Sequence, residues 1–266
     1  MGEASRHDVW AVGSSYDAYV GRWSRLVANE FLVWIDVPAT SCWLDVGCGT
    51  GALSRAILET ASPKEVCGVD PSSGFIDYAR NLTGDVRARF EVGDAQALPY
   101  GDAALDAVVS GLVMNFVPEP RLAVAEMKRV ARPGGTVALY VWDYAGEMQI
   151  LRHFWDAAAA LDRAARELDE GQRFEICSPE AIQELFSGEG LKDVSVRAID
   201  AHAHFADFDE YWTPFLGGQG PAPGYVASLD AEGQTVLEER LRAQIPAARD
   251  GSIDLIARAW AIRAMT

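Results

Sequence analysis

Three carboxylates and one glycine turn, spaced along the first hundred residues, are the groups in this chain best suited to holding a nucleotide-like ligand. The turn is Gly47-Cys48-Gly49-Thr50-Gly51. It follows the apolar run Trp43-Leu44-Asp45-Val46 and opens into Ala52-Leu53-Ser54-Arg55-Ala56-Ile57-Leu58, which carries a helical apolar pattern. Strand, glycine turn and helix in this order expose backbone N–H groups at a helix amino terminus and let a ligand lie against bare main chain. Asp70 stands nineteen positions after Gly51, behind Glu65-Val66-Cys67-Gly68-Val69. A carboxylate at the end of a second strand can accept hydrogen bonds from both hydroxyls of a ribose. The turn lacks the Gly-Lys-Ser/Thr ending of a phosphate-cradling loop. It reads G-x-G-x-G rather than the G-x-G-x-x-G of dinucleotide binders.

Leu44-Asp45-Val46-Gly47-Cys48-Gly49-Thr50-Gly51 resembles motif I of the class I S-adenosylmethionine (SAM)-dependent methyltransferases, of the small-molecule type that acts in ubiquinone and menaquinone biosynthesis. Two further stretches are similar to that family: Gly93-Asp94-Ala95-Gln96-Ala97-Leu98-Pro99, and the turn Arg132-Pro133-Gly134-Gly135 before a strand. The resemblance covers residues 40–142 strongly and the rest weakly. It implies SAM as cofactor and S-adenosylhomocysteine as product. It further implies cofactor contacts from Asp45, Gly47, Cys48, Gly49 and Gly51 in the turn. Asp70 and Pro71 would lie at the ribose, Asp94 and Ala95 at the adenine, and Ser110 and Gly111 beside the amino-acid part and the methyl group. Asn115 and Phe116 fall where such enzymes often carry a His-aromatic pair; the Asn removes a natural general base. Trp142, Tyr144, Trp212 and Phe215 are the other residues expected at a methyl acceptor.

An amino-terminal lid is expected over residues 8–36, where Tyr16, Tyr19 and Arg22 are candidates to meet the cofactor, Arg22 by a bidentate fork to its carboxylate. Lid or acceptor-binding insertions are expected at 143–178 and 202–249. Methyl transfer from a sulfonium needs alignment and exclusion of water more than a protein nucleophile. A base is optional, and His204 or Tyr16 is the candidate, with His202 and His153 as alternatives. The acceptor is expected to be a small apolar or aromatic molecule. The alternatives are a non-catalytic SAM-binding protein and an NAD-dependent oxidoreductase, the latter disfavoured by the glycine spacing.

The 266 residues carry a formal net charge of −16, which repels nucleic-acid phosphates and anionic membrane surfaces. No nucleic-acid partner and no membrane span are expected. No metal site is expected, because the four cysteines, Cys42, Cys48, Cys67 and Cys177, form no C-x-x-C pair. With no secretory signal in the first residues, the pattern suits a reducing cytoplasm. The oligomeric state stays open.

The elements that must position these groups follow from periodicity. Strands are expected at 42–46, 65–70, 88–92, 105–110, 136–142, 191–199 and 252–263, and helices at 24–35, 72–81, 120–131, 147–170, from Pro179 to Gly188 or Gly190, and 230–244. With these elements, the resemblance implies the fold class: α/β, a Rossmann-like class I methyltransferase fold in one domain over 1–266. Its seven-stranded sheet is mostly parallel with helices on both faces and helical lid insertions, and the seventh strand is expected to be antiparallel.

Overall fold

Strand β1 (Cys42–Val46) is buried almost throughout, including its single acid, so it has neighbours on both edges and layers on both faces. A computed structural model of the protein, describing residues 21–217 and 220–266, bears this out. β1 pairs in parallel with β2 (Glu65–Asp70) on one side and β4 (Leu105–Gly111) on the other. β2 pairs in parallel with β3 (Ala88–Val92), and β4 with β5 (Ala131–Trp142). With β6 (Lys192–Phe205) and β7 (Ile253–Met265), the sheet order is β3-β2-β1-β4-β5-β7-β6. The order reverses between β1 and β4, and in open α/β sheets that switch point leaves a crevice at the carboxyl ends of the strands.

β7 runs against β5, as expected. Thr266 N donates to Gly135 O and Asp143 N donates to Arg258 O, so the partner number falls as the chain climbs β5. β6 is antiparallel to β7 by the same logic, with Arg258 on Asp200 and His204 on Asp254.

The helices Ala52–Thr60 and Ser73–Leu82 link β1 to β2 and β2 to β3, and Pro120–Val130 links β4 to β5. Ser72 caps the second of these, accepting from Phe75 N at 3.3 Å. Ser178 and Asp230 cap Pro179–Gly188 and Ala231–Gln244 in the same way.

The chain forms two compact units, which β6 and β7 both traverse. The larger contains 25–141, 176–199 and 259–266 and holds β1 to β4. The other contains, among the described residues, 21–24, 142–175 and 200–258 and is built around aromatic packing: Phe154 stacks on Phe215 at 4.7 Å, and Tyr211 lies 5.3 Å from Phe215.

Three expected elements come out differently. β5 begins at Ala131 rather than at 136, taking in the Arg132-Pro133-Gly134-Gly135 stretch expected as a turn. The helix expected over 147–170 is Gln149–Leu161, then a 3-10 turn Arg163–Glu167, then Glu170–Arg173. The Asp162 and Asp169 side chains accept from Ala164 N and Gly171 N, which diverts the backbone into new turns. β6 continues to Phe205, beyond the expected residue 199, because Ala201, Ala203 and Phe205 keep the inward alternation.

Candidate functional site

The crevice in the larger unit is built from the ends of β1, β2 and β4. Gly47, Gly49 and Gly51 all take positive φ, at 73°, 51° and 81°. The turn is pinned to β2, since Gly47 N and Cys48 N both donate to Val69 O, at 2.7 and 3.0 Å. Gly51 precedes the helix Ala52–Thr60, whose first N–H groups face the turn. A Cβ on Gly49 would meet nothing within 4 Å, so the space beside it is open. A Cβ on Gly47 would overlap Val113, the residue that leads from β4 into the 3-10 turn Met114–Phe116. The turn carrying Asn115 and Phe116 therefore packs directly on the glycine turn.

Asp70 closes β2. Its Oδ2 accepts from Gly49 N at 3.0 Å and its Oδ1 from Ser72 N at 2.9 Å. Burial raises its pKa, and the two backbone bonds pull against that rise. Each oxygen keeps a lone pair for a further donor, which suits a ribose diol. Asp94 is exposed, and its Oδ1 accepts from Gln96 N at 2.9 Å; Ala95 beside it is buried. Asn115 Nδ2 is buried and has no hydrogen-bond partner among the described residues. A bare turn beside Gly49 and a carboxylate with spare acceptor capacity fit the ligand implied by the sequence, SAM.

Other residues expected at the cofactor turn out to hold the frame. Asp45 is fully buried and accepts from Ser54 Oγ at 2.6 Å, tying β1 to the helix that follows it. Ser110 Oγ donates to Val46 O at 2.8 Å, bracing β4 against β1. A Cβ on Gly111 would strike the Tyr140 phenol, so glycine is needed there for packing. Burial pushes the Cys48 thiol up, which keeps it neutral and contributes only its backbone. Pro71 follows Asp70 on the exposed surface of the turn.

Several expectations are corrected. Arg22 already has a protein carboxylate as partner: its Nη1 donates to Glu210 at 2.7 Å and its guanidinium lies over Trp23 and Phe205. His204 is not an enclosed base, because its side chain is 62% exposed on the outer face of the edge strand and bonds Asp254 at 2.8 Å. Trp142, Trp212 and Phe215 are core rather than acceptor wall; Phe215 is 1% exposed between Phe154 and Trp212. Tyr144 is half-buried, 5.9 Å from Phe174, and Phe116 is exposed. Tyr16 and Tyr19, with residues 8–20 of the expected amino-terminal lid, lie outside the described residues.

Sequence reasoning passed over Leu112 and Val113. Leu112 sits at φ 61°, a costly conformation for a branched side chain, and its N–H donates to Tyr140 O at 2.8 Å. The positive φ falls on Leu112 itself, one residue past Gly111, so its residue type does not mark the bend in the sequence.

The Asp45 carboxyl predicts a pH signature. Burial raises its pKa from 3.8 to about 7, with Ser54 opposing and the Asp70 charge adding. The folded protein thus binds this proton more tightly than the unfolded chain. Its contribution is present at low pH and is lost as pH rises through the window from about 4 to about 7. Melting curves across that window should show Asp45→Asn losing less stability with rising pH than wild type. A residual slope should remain from Glu170, which burial likewise raises to about 7. Parallel curves for the two proteins would mean that Asp45 is ionised throughout.

Residues 44–139 match a family model described as a methyltransferase domain. The chain is 38% identical over 92 residues to a malonyl-[acyl-carrier protein] O-methyltransferase of Hahella chejuensis, covering 35% of this chain and 33% of that protein. It is 29% identical over 222 residues to the 2-methyl-6-phytyl-1,4-hydroquinone methyltransferase of Synechocystis, covering 81% of this chain and 68% of the relative. The chain thus spans a third of the first relative and about two thirds of the second. A crystal structure of a methyltransferase from Bacillus halodurans shares the fold, with a TM-score of 0.59 at 14% identity, over 90% of this chain and 97% of that one.

Proposed function

We propose that this chain, a class I SAM-dependent methyltransferase, moves the SAM methyl group to an oxygen-bearing small molecule of the hydroquinone or phenol type. One observation carries the cofactor half: Asp70 ends β2 with both carboxylate oxygens held by backbone donors, one of them from Gly49 of the open glycine turn. That arrangement supports ribose binding beside a bare backbone. SAM, when bound, supplies a methyl carbon on a positively charged sulfur, already activated for in-line attack. What remains for the protein is to hold, orient and exclude water. Asp70 would fix the ribose, Asp94 and the Ala95 N–H the adenine, and the Gly47–Gly51 backbone the amino-acid end.

Asn115 supports the acceptor half. Leaving its buried amide donor unpaired costs on the order of 1–3 kcal/mol, and an acceptor oxygen would remove that cost. Its turn packs on Gly47 through Val113, which brings the donor to the same crevice. The longer alignment also runs beyond the methyltransferase core and is to a hydroquinone methyltransferase, whereas the malonyl-carrier relative aligns over 92 residues only. With no histidine in the 3-10 turn, the acceptor proton would leave from a group acidic enough to lose it to water, as a phenol can. The free thiols Cys42, Cys48 and Cys67 support a reducing, cytoplasmic setting. Among the described residues no helix is long and apolar enough to cross a membrane.

The test is calorimetry with SAM, S-adenosylhomocysteine and NAD, then transfer from methyl-labelled SAM to a panel of hydroquinones, phenols and carboxylates. SAM binding with label on a hydroquinone or phenol is the expected result; NAD binding without SAM binding would sink the reading. Asn115→Leu should raise the KM for the acceptor about tenfold with S-adenosylhomocysteine affinity unchanged. A fall in S-adenosylhomocysteine affinity instead would assign the amide to the cofactor.

A further inference from the structure

The loop that carries Asp94 and Ala95 spans residues 93–104, between β3 and β4, and its hydrogen bonds to the rest of the larger unit come largely from one helix. At its start, Gln96 Oε1 accepts from Glu119 N at 3.1 Å, just before the helix Pro120–Val130. Gln96 Nε2 reaches back to the Asp94 carboxylate at 3.2 and 3.3 Å. At its middle, Glu126 Oε2 accepts from Leu98 N at 2.8 Å. Arg129 completes the hold. Its Nη2 donates to Leu98 O at 3.2 Å and its Nη1 to Tyr100 O at 2.9 Å and Asp102 at 2.8 Å. The same guanidinium bonds Glu126 through Nε at 2.6 Å and Nη2 at 2.7 Å. The pair keeps Glu126 ionised, its pKa held below the usual range chiefly by the Arg129 hydrogen bond.

We infer that Glu126 and Arg129 are positioning residues for the adenine end of the cofactor site, acting through the loop and touching no ligand. The inference rests on the SAM reading above. An adenine read by one carboxylate and one backbone N–H is read only if both stand within a few tenths of an ångström of their places. Ala95 is three residues from Leu98, and Leu98 is held by its N–H on Glu126 and its carbonyl on Arg129. Both clamp residues are partly exposed, with side chains 21% and 33% accessible. The planar fork of arginine spans five acceptor atoms on four residues of two segments, which a lysine ammonium cannot do.

The experiment uses the full chain as Glu126→Ala, Glu126→Gln and Arg129→Lys, with melting temperatures as a check of folding. Affinity is measured for S-adenosylhomocysteine and for S-inosylhomocysteine, which lacks the exocyclic amine. Glu126→Ala and Arg129→Lys should weaken S-adenosylhomocysteine about tenfold and S-inosylhomocysteine by less than about threefold. Glu126→Gln keeps an oxygen for Leu98 N and should fall between wild type and Glu126→Ala. Should Glu126→Ala fail to fold, Arg129→Lys, which retains the charge, carries the test. Wild-type protein that binds no S-adenosylhomocysteine overturns the cofactor reading itself. Wild-type binding with both ligands weakened equally in the variants, or neither, overturns the clamp alone.

Discussion

Gly47→Ala will destabilise the protein by on the order of 3 kcal/mol, whereas Gly49→Ala, two residues away, will leave it folded and cost it the cofactor. Both glycines take positive φ, at 73° and 51°, so alanine adds backbone strain of about 1–2 kcal/mol at either position. What differs is the space around the new methyl. At Gly47 it would overlap Val113 Cγ1 and stand 2.8 Å from Cγ2, on a β-branched side chain with few rotamers to escape into. Relief requires moving the Val113–Phe116 turn, and with it Asn115. At Gly49 nothing lies within 4 Å, so the methyl meets no protein and instead occupies the ligand's approach to the backbone. Chemical denaturation of the two variants, with titration of S-adenosylhomocysteine into Gly49→Ala, separates the effects. Adding Val113→Ala to Gly47→Ala should recover part of the lost stability. Equal stability of the two single variants would mean that Val113 adjusts freely and the packing of the turns is loose.

The contrast between these glycines shows what a linear reading can carry. The spacing of Gly47, Gly49 and Gly51 after an apolar strand identifies the turn, because only glycine takes positive φ three times in five residues without penalty. The parallel strands were legible for a related reason: strands covered on both faces are continuous apolar runs, and Val66, Val69, Val108 and Val109 are buried as those runs require. What could not be read was the direction each side chain takes. Trp212 and Phe215 lie in an aromatic-rich stretch, and composition alone does not distinguish the wall of a pocket from the inside of a core. Arg22 looked available because its partner, Glu210, is 188 residues away in sequence. His204 falls in the insertion expected over 202–249, whereas the alternation of His202 and His204 with Ala201, Ala203 and Phe205 turns both histidines outward on a strand. The Glu126–Arg129 pair reads in sequence as an ordinary helix ion pair; its hold on Leu98 and Tyr100 exists only once the loop is folded against it.

Asp70→Ala is expected to weaken SAM and S-adenosylhomocysteine by about 2–3 kcal/mol, roughly 30- to 150-fold, with little change in melting temperature. The loss follows from removing a charge-assisted acceptor for two hydroxyls. The small effect on folding follows from two opposing changes. Gly49 N and Ser72 N lose their acceptors, which costs stability, but the buried carboxylate also pays for its own desolvation, as its raised pKa indicates. Removing it relieves that strain. Asp70→Asn separates charge from shape, since an amide oxygen can still accept one of the two backbone bonds. The sign with pH follows from the same shift. Wild-type affinity should weaken as pH falls toward the raised pKa, because the protonated carboxyl is the poorer acceptor, while Asp70→Asn should show no such decline. Calorimetric titrations of the three proteins at several pH values decide the matter. Unchanged affinity in Asp70→Ala would reduce Asp70 to a residue that shapes the turn between Val69 and Ser72, and the ribose would have to be held elsewhere.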